Sequence, residues 1–340
     1  MHFDLGGDVD TSGRLVQHDH VGRAGEPLAD GDLLLVSSAE GADRILGVVH
    51  ADSHSPDELG DDLVLRPLVG CTEAELVAQG PGFFGVVTRF HLRLYRRPAI
   101  IGARLGVFPV DKFEEILRWC HRVGPEVPTS VELMFVVSPR LPNTGEPGIL
   151  LIVAVFADSQ EQAADDLSFF ETRPEGARQF TPFEQMPLGT LTRETMSHYP
   201  EEHFHVVDNM WTHASAEELL PALNRIRESL PEPPAHFIWM NWSPKLARAN
   251  MAFSLEDEVY IAMYGLWKDP VHEVAVTNWV LGGINDLSPY SSGIQLADEN
   301  LARRDAIFMA ETHRERLKQI RRERDPAGRF HTYGCVTDEN

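Results

Sequence analysis

Gly80-Pro81-Gly82-Phe83-Phe84-Gly85 has the G-x-G-x-x-G spacing that, between a strand and a helix, seats a dinucleotide pyrophosphate on the helix N-terminus. Here the order is reversed. Thr72 to Ala78 before the glycines have helical character and Val86 to Tyr95 after them alternate as a strand, so no helix start faces the loop and a nicotinamide-binding Rossmann site is not expected. The glycines still supply backbone without Cβ atoms, able to take positive φ and to bring N–H groups close to a ligand. The plain alternative is a tight helix-to-strand turn lined by aromatic side chains.

Other residues capable of chemistry are scattered. His203 and His205 alternate on one expected strand and so share a face, a geometry that can hold a metal or set a base, but no Cys or carboxylate partner is fixed and a solvated or hydrogen-bonded pair is the preferred reading. Trp211, Trp239 and Trp242 fall on expected strands, where core packing is preferred over lining a substrate pocket. His18-Asp19-His20 lies in a polar, acidic stretch with no preorganised geometry, so no metal is expected. The basic run Arg314 to Arg324 is interrupted by Glu315 and Glu323 and reads as a salt-bridged helix face. Cys71, Cys120 and Cys335 are far apart and odd in number, which argues against a disulfide framework or a zinc site and fits a reducing cytoplasm.

Composition narrows the partners. A net charge of -22, from 52 acids against 30 bases in 340 residues, repels phosphate backbones and anionic leaflets, so neither nucleic acid nor membrane is an expected partner. A small-molecule substrate is. No apolar run approaches the roughly 20 residues of a membrane span, and MHFDLGGDVD is no secretory signal, so neither export nor anchoring is expected.

The elements that must position these residues change character along the chain. Residues 1 to 70 are acidic and rich in Gly, Asp and His, with short apolar runs at Leu33 to Val36 and Ile45 to Val49 that suit a small sheet. After the alternating Val86 to Tyr95 stretch, Arg96-Arg97-Pro98 ends a strand and marks a boundary. Beyond it run strand Ile100 to Phe108, helix Asp111 to Val123, strands Val131 to Val137 and Ile149 to Phe156, and helix Ser159 to Phe170. Asp111 is the expected N-cap of the first helix, Phe113, Ile116, Leu117 and Cys120 its inward stripe, and Gly124 its left-handed C-cap. Ser159 and Gln162 have capping-box spacing.

The same order returns about 105 residues later: strand Phe204 to Trp211, helix Ser215 to Leu230, strands His236 to Trp242 and Val259 to Trp267, and helix Asp269 to Ile284. Ser215 and Glu218 again form a capping box. Two such units predict an α+β domain: an antiparallel sheet of seven or eight strands with helices on one face and the other face free to meet a cofactor or partner.

The stretch around the glycines resembles the G-G-G-x-F-G-V-V-T-x-F segment of berberine-bridge-like flavoproteins, with Gly80, Gly82, Phe84, Gly85, Val86, Val87, Thr88 and Phe90 in the matching places. Near the other end, Asn300, Arg316-Leu317, Ile320, Asp325-Pro326 and Phe330 are similar to the family's asparagine beside the flavin ring and the helix that follows it; an amphipathic terminal helix stopped by Asp325-Pro326 is the plain alternative. The resemblance implies an FAD-dependent oxidoreductase, oxidase or dehydrogenase, that removes a hydride from a C–OH or C–N carbon of a small organic substrate, with oxygen as final acceptor. It also implies that Gly80, Gly82, Phe83, Phe84, Gly85, Val86, Val87 and Asn300 touch the flavin.

Departures from the family shape the expectation. Its phosphate-binding loop and the histidine often joined to the flavin are not recognisable before Gly80, although residues 29 to 40 are similar to the strand that precedes that loop. The domain organisation that follows is an incomplete FAD-binding portion at 1–97, a substrate domain at 98–295, and a return to the FAD-binding portion at 296–340, the return packing against Gly80 to Tyr95. FAD is then expected to bind weakly and non-covalently, and the chain has the look of a fragment. The position two before Asn300, often a tyrosine, is Asp298, which leaves the catalytic base unassigned. The competing class is a flavin-free binding or interaction module derived from such a substrate domain.

Overall fold

In the computed structural model the described residues are 92–141, 145–196, 198–200, 202–244, 255–298, 300–301 and 303–330, preceded by five short strands. Those strands are β1 (Asp8–Val9), β2 (Leu15–Val16), β3 (Leu34–Ser37), β4 (Ile45–Val48) and β5 (Leu63–Pro67). With β6 (Leu92–Arg96), β3 to β5 form an antiparallel four-stranded sheet, so both apolar runs expected near the N-terminus are strands. The glycine loop and residues 86–91 of the strand after it lie outside the described residues.

The main sheet has seven strands: β7 (Ile100–Pro109), β8 (Val131–Ser138), β9 (Gly148–Ala157), β10 (Gln179–Gln185), β11 (Phe204–Thr212), β12 (His236–Asn241) and β13 (Val259–Trp267). Their order is β10-β7-β9-β8-β12-β13-β11, and every neighbouring pair is antiparallel. In each repeat the strands lie first, third, second, and the two second strands meet at the seam, where Val136 pairs with Ile238. The repeat legible in the sequence is thus a pair of like units placed back to back across β8 and β12.

Alternation assigns the faces. Leu133, Phe135, Val137, Leu151, Val153, Phe237, Ile261 and Met263 point into one large core, and helices cover it: α1 (Phe113–Val123), α2 (Gln160–Asp166), α4 (Ala216–Glu228) and α5 (Glu273–Leu287), with α3 (Leu188–Met196) between the units. Phe113 of α1 meets Phe135 and Phe237 edge-on at 6.0 Å, tying the helix to both units. Each such fully buried large side chain contributes roughly 1.5–3 kcal/mol of transfer free energy.

The helix ends differ from expectation in instructive ways. Asp111 does not cap α1; it sits in a 3-10 turn, Val110–Lys112, and α1 starts without a side-chain cap. Gly124 is not left-handed, with φ -47 and ψ -49, and it opens a second 3-10 turn. Its lack of a Cβ serves packing, because a Cβ there would stand 2.3 Å from Asn241 Oδ1. The helix expected over Ser159 to Phe170 breaks into α2 and the 3-10 turn Ser168–Thr172, and Gln162 Oε1 accepts from the Asp158 N–H instead of closing a box on Ser159. The last helix likewise splits into the 3-10 turn Pro270–His272 and α5. At α4 the box is complete, Ser215 Oγ accepting from Glu218 N–H and Glu218 from Ser215 N–H.

After α5 the chain turns at Ser288–Tyr290 and runs along β11. Ser292 N–H donates to Trp211 O at 2.9 Å, and Trp211 N–H to Gly293 O at 2.7 Å. Gly293 permits this approach, since a Cβ would meet Leu255 Cδ1 at 2.8 Å and Ile307 O at 2.9 Å. The helix α6 (Glu311–Arg324) then buries Leu317 and Ile320 against Ile294, Phe308 and Met309, a cluster separate from the main core. Asp325 stops it by accepting the N–H groups of Arg329 and Phe330, which hold its carboxyl below the usual range. The salt-bridged face is present, with Lys318 on Glu315 and Arg314 on Glu311, while Glu323 accepts a hydrogen bond from Gln319. The expected contact of this helix with Gly80 to Tyr95 rests on side chains outside the described residues.

Candidate functional site

The sheet face turned away from α1, α4 and α5 carries its own cluster: Val136, Trp211, Ile238, Trp242, Tyr260 and Ala262, with Met134, Leu150, Ile152, Met240 and Tyr264 half-buried beside them. One register row crosses it. Leu105 pairs with Ile152, Ile152 with Met134, Met134 with Met240, Met240 with Tyr260, and Tyr260 with Trp211. The first four are half-buried and apolar, a strip about 14 Å across four strands. It leads to the buried Tyr260.

Polar chemistry gathers at that end. The Tyr260 and Tyr264 hydroxyls each donate to Asp298 Oδ2 at 2.8 Å. These tyrosines are four residues apart on β13, hence on one face, and His236 stands opposite Tyr264 in the register with its ring stacked on it at 4.9 Å. Tyr199 meets Tyr264 edge-on at 5.1 Å, and His198 lies 6.0 Å from His236. Nδ1 of His236 donates to Pro234 O at 2.9 Å, which fixes its tautomer. Burial, followed by the charge of Asp298, raises the phenols of Tyr199 and Tyr260; burial, the Tyr260 phenol and Asp298 do the same to Tyr264. Burial lowers His236 to about 4, against its bond to Pro234. At neutral pH the phenols are protonated and the imidazole is neutral, so the two hydroxyl protons rest on the tyrosines and point at Asp298 Oδ2.

The segment that carries Asp298 is strapped to β11. Asn209 Nδ2 donates to Asp298 O at 2.7 Å and to Gln295 O at 2.9 Å, and its Oδ1 accepts from Gln295 N–H at 2.8 Å. Arg304 grips the fully buried Asp208 with two nitrogens, Nε at 2.7 Å and Nη2 at 2.5 Å, and also donates to Asn209 O. Between them lies Asn300, whose carbonyl accepts from the N–H groups of Arg303 and Arg304. Its Nδ2 is buried without a hydrogen-bond partner among the described residues, a condition that a ligand acceptor would relieve.

Of the residues expected to touch the flavin, Asn300 follows Asp298 by two positions in the strapped segment, whereas Gly80, Gly82, Phe83, Phe84, Gly85, Val86 and Val87 lie outside the described residues. The histidine pair is split: His203 precedes β11 and buries its Nδ1, and His205 is exposed opposite Leu266. Among the described residues no group of three or more His, Cys, Asp or Glu could hold a metal ion, and no helix is long and apolar enough to cross a membrane. Trp239 is a core residue as expected, stacked on Phe135 at 5.4 Å with its Nε1–H on His121 Nε2 at 3.1 Å. Trp211 and Trp242 pack on the opposite face, Trp211 lying 4.9 Å from Tyr260, so they back the site. Tyr199, Tyr260, Tyr264 and His236 were not anticipated. The signal for two of them was present in the even spacing of Tyr260 and Tyr264 on a strand.

Comparison with known proteins agrees with this architecture. No family model matches the chain. It is 25% identical over 266 residues to an FAD-linked oxidoreductase, ptmO, of Penicillium ochrochloron, covering 76% of this chain and 57% of that protein. A second, penO of Penicillium crustosum, is 26% identical over 269 residues, with 76% and 57% covered. The chain spans little more than half the length of these relatives. Among solved structures it superposes on BBE-like 1 of Physcomitrella patens with a TM-score of 0.64 at 13% identity, over 79% of this chain and 61% of that one. GilR, an oxidoreductase of gilvocarcin biosynthesis solved with pregilvocarcin, gives a TM-score of 0.61 at 18% identity, over 74% and 61%. The fold is that of the berberine-bridge-like flavoenzymes, as the two sequence motifs implied.

Proposed function

We propose that this chain carries the substrate side of an FAD-linked oxidoreductase acting on a C–OH or C–N group of a small organic molecule, with Asp298 as the proton acceptor. The observation that carries the reading is the convergence of the Tyr260 and Tyr264 hydroxyls on one oxygen of Asp298, at the end of an apolar strip on the sheet face turned away from the helices. Similarity to proteins named FAD-linked oxidoreductases supports the redox class over a flavin-free module.

When bound, FAD supplies the hydride acceptor. The Asn300 amide suits a flavin acceptor atom because its Nδ2 is buried and unpartnered among the described residues, and the Gly80 to Gly85 backbone is the second candidate contact. The remaining work falls to the chain. The substrate O–H or N–H proton passes to the Asp298 carboxylate, either directly or through Tyr260, whose phenol gives its proton to Asp298 as it takes one from the substrate. The raised phenols favour this relay over a free phenolate. Trp211, packed on Tyr260 and backed by Trp242, keeps water from that side of the phenol.

The test is FAD uptake by the purified chain, followed by visible absorbance and acid precipitation. Micromolar uptake with the flavin released to the supernatant is expected, because few phosphate-binding elements are recognisable. A chain that takes up no FAD overturns the reading, and a stoichiometric yellow pellet overturns its non-covalent form.

A further inference from the structure

Glu132 is the one charged residue of β8, and the mechanism above does not use it. Alternation and register put it on the same face as Met134 and Val136, paired with Ala154 of β9, which in turn pairs with Ala103 of β7. Both neighbours are small and buried, and neither offers the carboxyl a polar side chain. The row continues to the exposed Glu184 on β10, and the register carried two residues past Met240 brings Trp242 opposite Glu132. Glu132 is half-buried and makes no ion pair or hydrogen bond among the described residues, while apolar surroundings push its carboxyl up to about 7. An unpartnered carboxyl in such a setting is costly to keep, and a bound cation would remove the cost.

The strip beside it, Leu105, Ile152, Met134 and Met240, is half-buried where the neighbouring Val136, Ile238 and Ala262 are buried, so it has accessible surface to offer. An apolar floor with one fixed charge at its side is the chemistry that selects an apolar cation. We propose that Glu132 and this strip bind an elongated apolar molecule carrying a basic nitrogen, its ammonium on Glu132 and its body lying toward Tyr260. This names a substrate class for the proposed oxidoreductase and rests on that reading, although the binding itself needs no flavin.

The test uses 4-phenylbutylammonium and the matching 4-phenylbutanol, titrated into the intact chain while tryptophan fluorescence is followed, at a pH about one and a half units above the Glu132 value. The ammonium should bind at least about tenfold more tightly than the alcohol, the margin of a charge-assisted contact. That preference should vanish in Glu132→Gln and in Glu132→Leu, and persist in Asp298→Asn. Equal affinity for the two probes in the unaltered chain, or a preference that survives in a folded Glu132 variant, overturns the proposal. Because the readout is flavin-independent, failure here leaves the redox reading standing, and failure of FAD uptake leaves this test readable.

Discussion

The two units of the main sheet share strand order, helix placement and antiparallel pairing, yet their faces turned away from the helices differ. The unit of β7 to β9 presents Leu105, Leu150, Ile152 and Met134 with one isolated carboxyl, Glu132. The unit of β11 to β13 presents Tyr260, Tyr264, His236 and Asn209, and it alone holds the return segment with Asp298. Their helix-covered faces are alike because both must fill one core; the opposite faces carry different side chains, apolar in one unit and phenolic in the other. In the proposed reading one unit offers a floor and the other a reactive end.

The sharpest way to break this division is Asp298→Asn. With FAD and a substrate bound, anaerobic flavin reduction should slow by about 10²–10⁴-fold, the usual worth of a positioned base, with the fold intact. A smaller change would move the proton acceptor elsewhere. Next in size is Arg304→Met, which strands the buried Asp208; it should cost about 3–5 kcal/mol in chemical unfolding, and hydrogen exchange should rise first in residues 291–298.

The pH profile distinguishes the units by sign. Glu132 is raised from 4.5 to about 7, so the folded state holds its proton more tightly and stability falls as pH rises through that window. His236 is lowered from 6.5 to about 4, as is His121, so their contribution is full above 6.5 and is lost as pH falls toward 4. Glu132→Gln should therefore raise stability near pH 8 by up to about 3 kcal/mol and change little near pH 4.5, as read from urea midpoints. His236→Asn should flatten the acid limb instead. The smallest effect concerns the helices: Ser215→Ala should cost about 1 kcal/mol, while Asp111→Ala in the uncapped counterpart should cost almost nothing.

Sequence reading located the main strands to within a residue or so because alternation is strong wherever one face is buried, as at Val259–Trp267. It missed β10, whose QFTPFEQ contains a proline and is mostly exposed, and α3, whose LGTLTRETM is short and carries threonines and a glycine of low helix propensity. Gly124 was misread because glycine after a helix suggests a left-handed cap, whereas here it makes room for Asn241, a long-range contact that local spacing cannot encode. The site was half legible. Asn300 and the odd aspartate two before it were visible as motif and departure, but the tyrosines that meet Asp298 come from 38 and 34 residues upstream and only folding brings them together.

The strap along β11 has a consequence for self-association. A sheet's outermost strands present unpaired backbone groups that recruit strands from other chains. Here the strap occupies Trp211's outward N–H and C=O, and the Asn209 amide mimics a further pair of backbone bonds. At the opposite margin β10 contains Pro182, within the register break between Thr181 and Glu184, and it exposes Gln179, Glu184 and Gln185. The main sheet is therefore blunted at the Trp211 end of β11 and along β10 by unrelated means, which disfavours strand-by-strand templating of fibres at those places while the native fold holds.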